Sequence, residues 1–191
     1  MATAKKTQAK KTTAKTTAAS LALDEAAIRR SRKDLADGAL TPSISPHAEA
    51  ICKLLNDALA TEWICVLRYR RHFFTARGVA SPAIANEFLV HANEEMAHAD
   101  RLAERIIQLG GEPLLDPSGF AARAHAEYDD SADLQQMIRS NLVAERVAVE
   151  VYRQMIRVIG EKDPTTTRML REILADEEEH ADELSDWLSP A

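Results

Sequence analysis

This chain has few cysteines, few glycines, few aromatic rings and no long apolar run. Two cysteines in 191 residues supply neither a disulfide framework nor a four-cysteine zinc or rubredoxin-type iron site, and they point to a reducing compartment, the cytoplasm. Cys52 and Cys65 read as small buried hydrophobes rather than as a redox pair. Six glycines are too few for a turn-rich all-β domain, and aromatic residues make up only 5%. No stretch approaches the roughly 18 apolar residues that a membrane-spanning helix needs, and no apolar segment follows the N-terminal charges as a secretory leader requires. What remains is rich in Ala, Leu, Glu and Arg and is 46% hydrophobic. That composition predicts one helical domain with a substantial core.

The net charge of −6 is an average over two unlike parts. Residues 1–33 hold nine basic groups against Asp24 and Glu25, a net of +7, which leaves −13 on residues 34–191. The first 19 residues use almost only Ala, Lys, Thr and Gln. They cannot bury apolar area, so residues 1–33 are expected to form a largely disordered arm, followed by a linker over 34–46. Its lysines, Lys5, Lys6, Lys10, Lys11 and Lys15, suit a tether that neutralises phosphates, and equally a tail that only confers solubility. An organellar transit peptide shares the Thr-rich, acid-poor composition but favours Arg over Lys.

From residue 47 onward apolar residues recur at spacings of three and four. Ile51, Leu55, Leu59, Val66, Tyr69 and Phe73 predict a first helix over 47–77, ended by the Gly78–Pro82 turn. Ile84, Phe88, Leu102 and Ile106 predict a second over 82–109, stopped by Gly110 and Gly111. Residues 111–130 carry Pro113, Pro117 and Gly119 and read as a connection. Leu134 to Ile156 mark a third helix ending at Gly160. The fourth starts after Asp163-Pro164, an N-cap followed by proline, and runs to Leu188. Short turns make two antiparallel hairpins. The long connection can run the length of a helix of roughly 42 Å, which predicts an all-α four-helix bundle with a single crossover over residues 47–188.

The apolar seams of these helices are interrupted at mid-length by groups that should not be buried alone. Glu62 lies between Leu59 and Val66, Glu95 and His98 between Phe88 and Leu102, Glu145 between Leu142 and Val149, and Glu177 and His180 between Leu174 and Leu184. In an antiparallel hairpin, residues equidistant from the turn lie level. The midpoint of 62 and 95 falls in the Gly78 turn, and that of 145 and 177 in the turn after Gly160. Face-to-face packing of the hairpins therefore gathers four Glu and two His. Four carboxylates in a low-dielectric core cannot all stay ionised without cations, and two divalent ions would balance them. Carboxylate with one imidazole per metal suits iron or manganese; the other reading is a hydrogen-bonded structural layer.

Several neighbours have two readings each. Tyr69 and Tyr152 each follow a ligand-type glutamate by seven residues, so each either bonds to the site or is an ordinary core tyrosine. Asp176 and Glu94 immediately precede Glu177 and Glu95 and either orient a histidine, pass iron inward or face solvent. His91, one turn before Glu95, is an accessory ligand or a structural histidine. Met96 is by default a packing residue.

Together, Glu62, the segment Glu95-Met96-Ala97-His98-Ala99-Asp100, Glu145, and Asp176-Glu177-Glu178-Glu179-His180 resemble the ferritin-like superfamily, and within it the bacterioferritins and bacterioferritin-like Dps proteins. The resemblance implies a ferroxidase: a di-iron site inside each subunit that oxidises Fe(II) with O₂ or H₂O₂. Glu62, Glu95 and His98 would hold one iron, Glu145, Glu177 and His180 the other, with Glu95 and Glu177 as bridges. It further implies a hollow homo-oligomeric shell that stores ferric oxide, with Met96 at the position of a haem b ligand. The absence of a fifth helix and the cationic arm favour twelve subunits over twenty-four, and a Lys arm that holds DNA would place the shell at the nucleoid. The cysteine pair found in some of these proteins has no match in Cys52 and Cys65. Other readings on the same bundle are a rubrerythrin-type peroxidase or manganese catalase, and a DNA-compacting protein for which iron is incidental.

Overall fold

The computed structural model describes residues 22–189 except 34, 37, 79 and 80. The five arm lysines lie outside the described residues. Within the stretch read as the arm, Glu25–Arg30 forms a short exposed helix, α1, whose N-cap Asp24 accepts from the backbone N–H groups of Ala26 and Ala27. The four long helices are α2 (Ser45–Thr75), α3 (Ser81–Gln108), α5 (Leu134–Ile159) and α6 (Pro164–Trp187), and α4 (Phe120–Arg123) lies in the long connection. The long helices start and stop within two residues of the expected positions. No strand occurs among the described residues.

Local chemistry sets the ends of these helices. Asp163 caps α6 by accepting from Thr166 N, with Pro164 at the first helical position. Asp133 caps α5 in the same way through Gln136 N. Gly160 ends α5 with φ +47°, a conformation that a side chain would strain. At the end of α3 a Cβ on Gly111 would lie 2.7 Å from the Cys52 sulfur, so only glycine lets the chain turn so close to α2.

The connection between α3 and α5 is pinned to α2 along most of its length. Asn56 accepts from Leu114 N at 2.8 Å, Thr61 Oγ1 accepts from His125 N at 2.9 Å, Arg68 donates to the Glu127 carbonyl at 3.0 Å and Arg71 to that of Ser131 at 2.9 Å. Partners rise in number together on both segments, so the connection runs parallel to α2 and delivers the chain to the start of α3. Helices α3 and α5 therefore run the same way, as the expected single crossover requires. The Phe120 ring stacks on Trp63 with centroids 6.2 Å apart and planes 4° apart, which seats α4 on α2. Inside the bundle the apolar core forms two clusters, and a third, small one of Ala60, Ile64 and Phe120 lies where α4 meets α2. One cluster centres on Leu55, Leu59, Leu102, Met155, Leu170 and Ile173, the other on Tyr69, Phe88, Met137, Ile138 and Leu184. Cys52 and Cys65 are free thiols buried in these clusters, and burial pushes both thiols above their ordinary value.

Candidate metal centre

Between the two apolar clusters lies a layer made of Glu62, Glu95, His98, Glu145, Glu177 and His180, each at most 3% exposed. All six candidate ligands thus meet at one level. Glu62 comes from α2, Glu95 and His98 from α3, Glu145 from α5, and Glu177 and His180 from α6. Both imidazoles turn Nδ1 inward. His98 Nδ1 lies 3.1 Å from Glu177, 3.4 Å from Glu95 and 3.7 Å from Glu62. His180 Nδ1 lies 3.7 Å from Glu95, 3.9 Å from Glu145 and 4.0 Å from Glu177. Two tetrads result, Glu62-Glu95-His98-Glu177 and Glu95-Glu145-Glu177-His180, and in each the four ligand atoms lie within 4.8 Å of one another. Glu95 and Glu177 belong to both.

A surrounding set of hydrogen bonds fixes these groups, and it runs from one hairpin to the other. Tyr152 on α5 donates to Glu62 on α2, and Tyr69 on α2 donates to Glu145 on α5. The outer nitrogen of His98 on α3 is held by Asp176 on α6 at 3.1 Å. That of His180 on α6 is held by Glu94 on α3 at 2.9 Å. Of the alternatives open for these residues, the structure gives both tyrosines a bond to the site and gives Asp176 and Glu94 the orienting contacts. The arrangement has an internal pseudo-twofold relation: Glu94, Glu95 and His98 correspond to residues 82 positions further on, Asp176, Glu177 and His180, and Glu62 and Tyr69 correspond to Glu145 and Tyr152, 83 positions further on. His91 is also buried, with Nδ1 3.2 Å from the Tyr69 hydroxyl and Nε2 2.9 Å from Glu183. Met96 is half-buried beside the layer.

The electrostatics of the bare protein are those of a site built around cations. Burial first, and then the neighbouring Glu95 carboxylate, raise the Glu62 carboxyl well above its ordinary value. Burial and the carboxylates of Glu95 and Glu62 do the same to Glu177. Burial acts against charge on Glu95 too, but the neighbouring Glu62 carboxyl and the imidazoles of His180 and His98 outweigh it and hold Glu95 well below the usual range. Burial likewise opposes protonation of His180, yet its contact with Glu95 raises it to about 9. His98 is raised further by Glu177, Glu62 and Glu95. Both tyrosines are pushed well above their ordinary value by burial and by the carboxylate each one bonds, so both remain donors.

Protons compensate this layer only in part. Eight buried atoms in it have no hydrogen-bond partner: both oxygens of Glu95 and of Glu177, one each of Glu62 and Glu145, and Nδ1 of both histidines. Unpaired buried acceptors are costly and rare, and all of these are hard oxygen or imidazole donors. They fit two divalent first-row ions, which would place four positive charges against four carboxylates.

Sequence reasoning missed the pinning of the connection by Arg68, His72 and Asn141, because those contacts join residues far apart in the chain. Arg68 donates to Asn141 at 2.7 Å and Asn141 pairs with His72 at 3.1 Å. The Glu183 partner of His91, 92 residues away, was missed for the same reason.

Known proteins agree with this architecture. The family model for the ferritin-like domain matches residues 52–190. A nutrient stress-induced DNA-binding protein of Synechococcus sp. is 29% identical over 143 residues, 73% of this chain and 81% of that protein. A bacterioferritin of Desulfovibrio desulfuricans is 28% identical over 134 residues, 68% of this chain and 69% of that protein. Among solved structures, the bacterioferritin-related protein from Bacteroides fragilis, described as a dodecameric thioferritin, superposes with a TM-score of 0.73 at 33% identity, covering 76% of this chain and 89% of that one. The match spans all four long helices and the whole carboxylate layer, and this chain belongs to the ferritin-like family, with bacterioferritins and Dps proteins as its relatives.

Proposed function

We propose that this protein detoxifies and stores iron: it binds two ferrous ions as substrate in the buried layer, oxidises them, and holds the ferric product inside a homo-oligomeric shell. The observation that carries this reading is the set of eight unpartnered ligand atoms on six buried residues. In the proposed site Glu62 and His98 serve one ion, Glu145 and His180 the other, and Glu95 and Glu177 bridge. The two ions give up one electron each, and the pair of electrons reduces O₂ to H₂O₂ with two protons, or H₂O₂ to two water molecules. The residues supply charge balance and fixed geometry. Tyr152 and Tyr69 each hold one carboxylate so that its second oxygen faces inward. Asp176 and Glu94 hold the outer nitrogens of the histidines, which keeps both Nδ1 atoms free as ligands.

Ferrous iron added in air tests the reading. Hundreds of ferric ions retained per assembly are expected, and Glu62→Ala with His180→Ala should abolish fast oxidation while circular dichroism still reports helix. Unchanged oxidation in that variant would remove these residues as ligands. Turnover of peroxide without retained iron would instead indicate a rubrerythrin-type peroxidase or a manganese catalase.

The dodecameric relative at 33% identity supports a shell of twelve chains, so the assembly mass should be about twelve times 21.1 kDa. The +7 arm, with the DNA-binding Synechococcus relative, supports attachment to nucleic acid through Lys5, Lys6, Lys10, Lys11 and Lys15. Met96 is the proposed ligand of haem b, to be read from a Soret band that Met96→Leu removes.

A further inference from the structure

Where α2 meets α5, next to the carboxylate layer, a guanidinium is buried with no carboxylate beside it. Arg68 is 1% exposed, and its hydrogen bonds go to uncharged groups. Its Nε donates to the Asn141 side chain at 2.7 Å, Nη1 to the Glu127 main-chain carbonyl at 3.0 Å and Nη2 to the Cys65 sulfur at 3.5 Å. None of the ion pairs among the described residues includes it. Asn141 gives its carboxamide oxygen to Arg68, so its N–H donates to His72 Nδ1 at 3.1 Å. Burial holds the His72 ring down to about 4, so this ring is neutral at neutral pH. Asp129, which His72 meets at 3.2 Å, lies at the outer, partly exposed end of the network. Arg68 is therefore the permanent buried charge of this network.

A buried cation without an ion pair is costly, and what compensates it is the field of the carboxylate layer. The guanidinium carbon lies 5.7 Å from the centroid of the Tyr69 ring, whose hydroxyl bonds Glu145. Asn141 precedes Glu145 by one turn of α5. The charge is thus tied to the Glu145 side of the layer. The other side has no equivalent: under the pseudo-twofold relation Arg68, His72 and Asn141 correspond to Val151, Met155 and Ala58. We propose that Arg68 makes the two ion positions unequal, its fixed charge weakening cation binding at the Glu145–His180 position so that the Glu62–His98 position fills first. The proposal rests on the paired centre described above. Before ions enter, Arg68 offsets part of the carboxylate charge. Once one ion is bound, the second meets a cation that cannot lose its proton. Arg68 is a positioning residue that sets the order of loading, not a ligand.

Calorimetric titration of the full chain with Co(II) tests this without relying on oxidation. Arg68→Gln, which removes the charge, should tighten the second binding step by about tenfold or more and leave the first nearly unchanged, while Tm of the metal-free protein falls. Arg68→Lys should restore the parent's second step, and Asn141→Ala, which breaks the network but keeps the charge, should retain it. A merely structural role would instead weaken both steps in all three variants. The mirrored ligands give a second measurement that does not depend on how Arg68→Gln folds. The ion left in Glu62→Gln, beside Arg68, should bind about tenfold or more weaker than the ion left in Glu145→Gln. An Arg68→Gln protein whose second step is no tighter than the parent's, or equal affinities in the two mirrored variants, overturns the role of Arg68 and leaves the paired centre standing. A parent that binds no Co(II) overturns both.

Discussion

At the scale of single residues, the centre depends on which atoms are held and which are left free. Tyr152 takes one oxygen of Glu62 and Tyr69 one of Glu145, so a carboxylate that would otherwise rotate presents a fixed second oxygen. Tyr152→Phe and Tyr69→Phe should each slow ferrous oxidation by about tenfold or more, read as the rise of ferric absorbance after rapid mixing. Loss of a ligand itself should cost far more. Protonation follows the same logic. In the metal-free protein, folding raises His180 from 6.5 to about 9 and also raises His98, Glu62 and Glu177. The fold therefore favours their protonated forms. The part of this stability due to His180 is complete below about pH 6.5 and is lost as pH rises through about 9. Thermal melts with chelator should show Tm falling between pH 6 and 9.5. Saturating Co(II), which replaces those protons, should raise Tm most at the alkaline end. A metal-free Tm that is flat across that range would contradict the assignment.

At the scale of elements, most of the scaffold was legible in the sequence because amphipathic helices advertise their buried face. The stripes through Leu55 and Leu59 or Leu102 and Ile106 locate the helices, and the Asp163-Pro164 cap locates the start of α6 to the residue. The six charged interruptions were legible for a related reason: at helical spacing, a Glu on an apolar seam has nowhere to go but inward. The order within the connection was not legible. Phe120 is seated by stacking on Trp63 of α2, and Leu114 is placed by Asn56, a partner 58 residues away. His91 was recognisable as a histidine near the seam, but its partner Glu183 is 92 residues distant. One element-level brace is directly testable. Asp163 caps α6 and also binds Arg105 of α3 at 2.8 and 3.0 Å, while being only 4% exposed. Asp163→Ala removes the cap and leaves Arg105 without its partner, so urea denaturation should show a loss of about 2 kcal/mol.

At the scale of the whole molecule, the charge is divided along the chain. A −13 body surrounds the acidic layer, and a +7 segment precedes it. If the five arm lysines neutralise phosphates, gel shifts should weaken by at least on the order of 10²-fold between 50 and 200 mM salt, and removal of residues 1–20 should abolish them. A shift that survives truncation or ignores salt would deny the arm this role.

The exchange of hydrogen bonds between hairpins makes the molecule its own control experiment. Each substitution at the centre has a mirror image in the same polypeptide: Glu62 with Glu145, His98 with His180, Tyr69 with Tyr152. Two such variants remove the same chemical group from corresponding positions of one scaffold, so a difference in their rates reports how unlike the two ion positions are. The fold departs from that symmetry beside the Tyr69 ring, with His91 against Ile173 and Arg68 against Val151. Rates from mirrored variants should therefore diverge most for the pair nearest that ring, and a chemist can read the direction of ion traffic from an inequality within one protein.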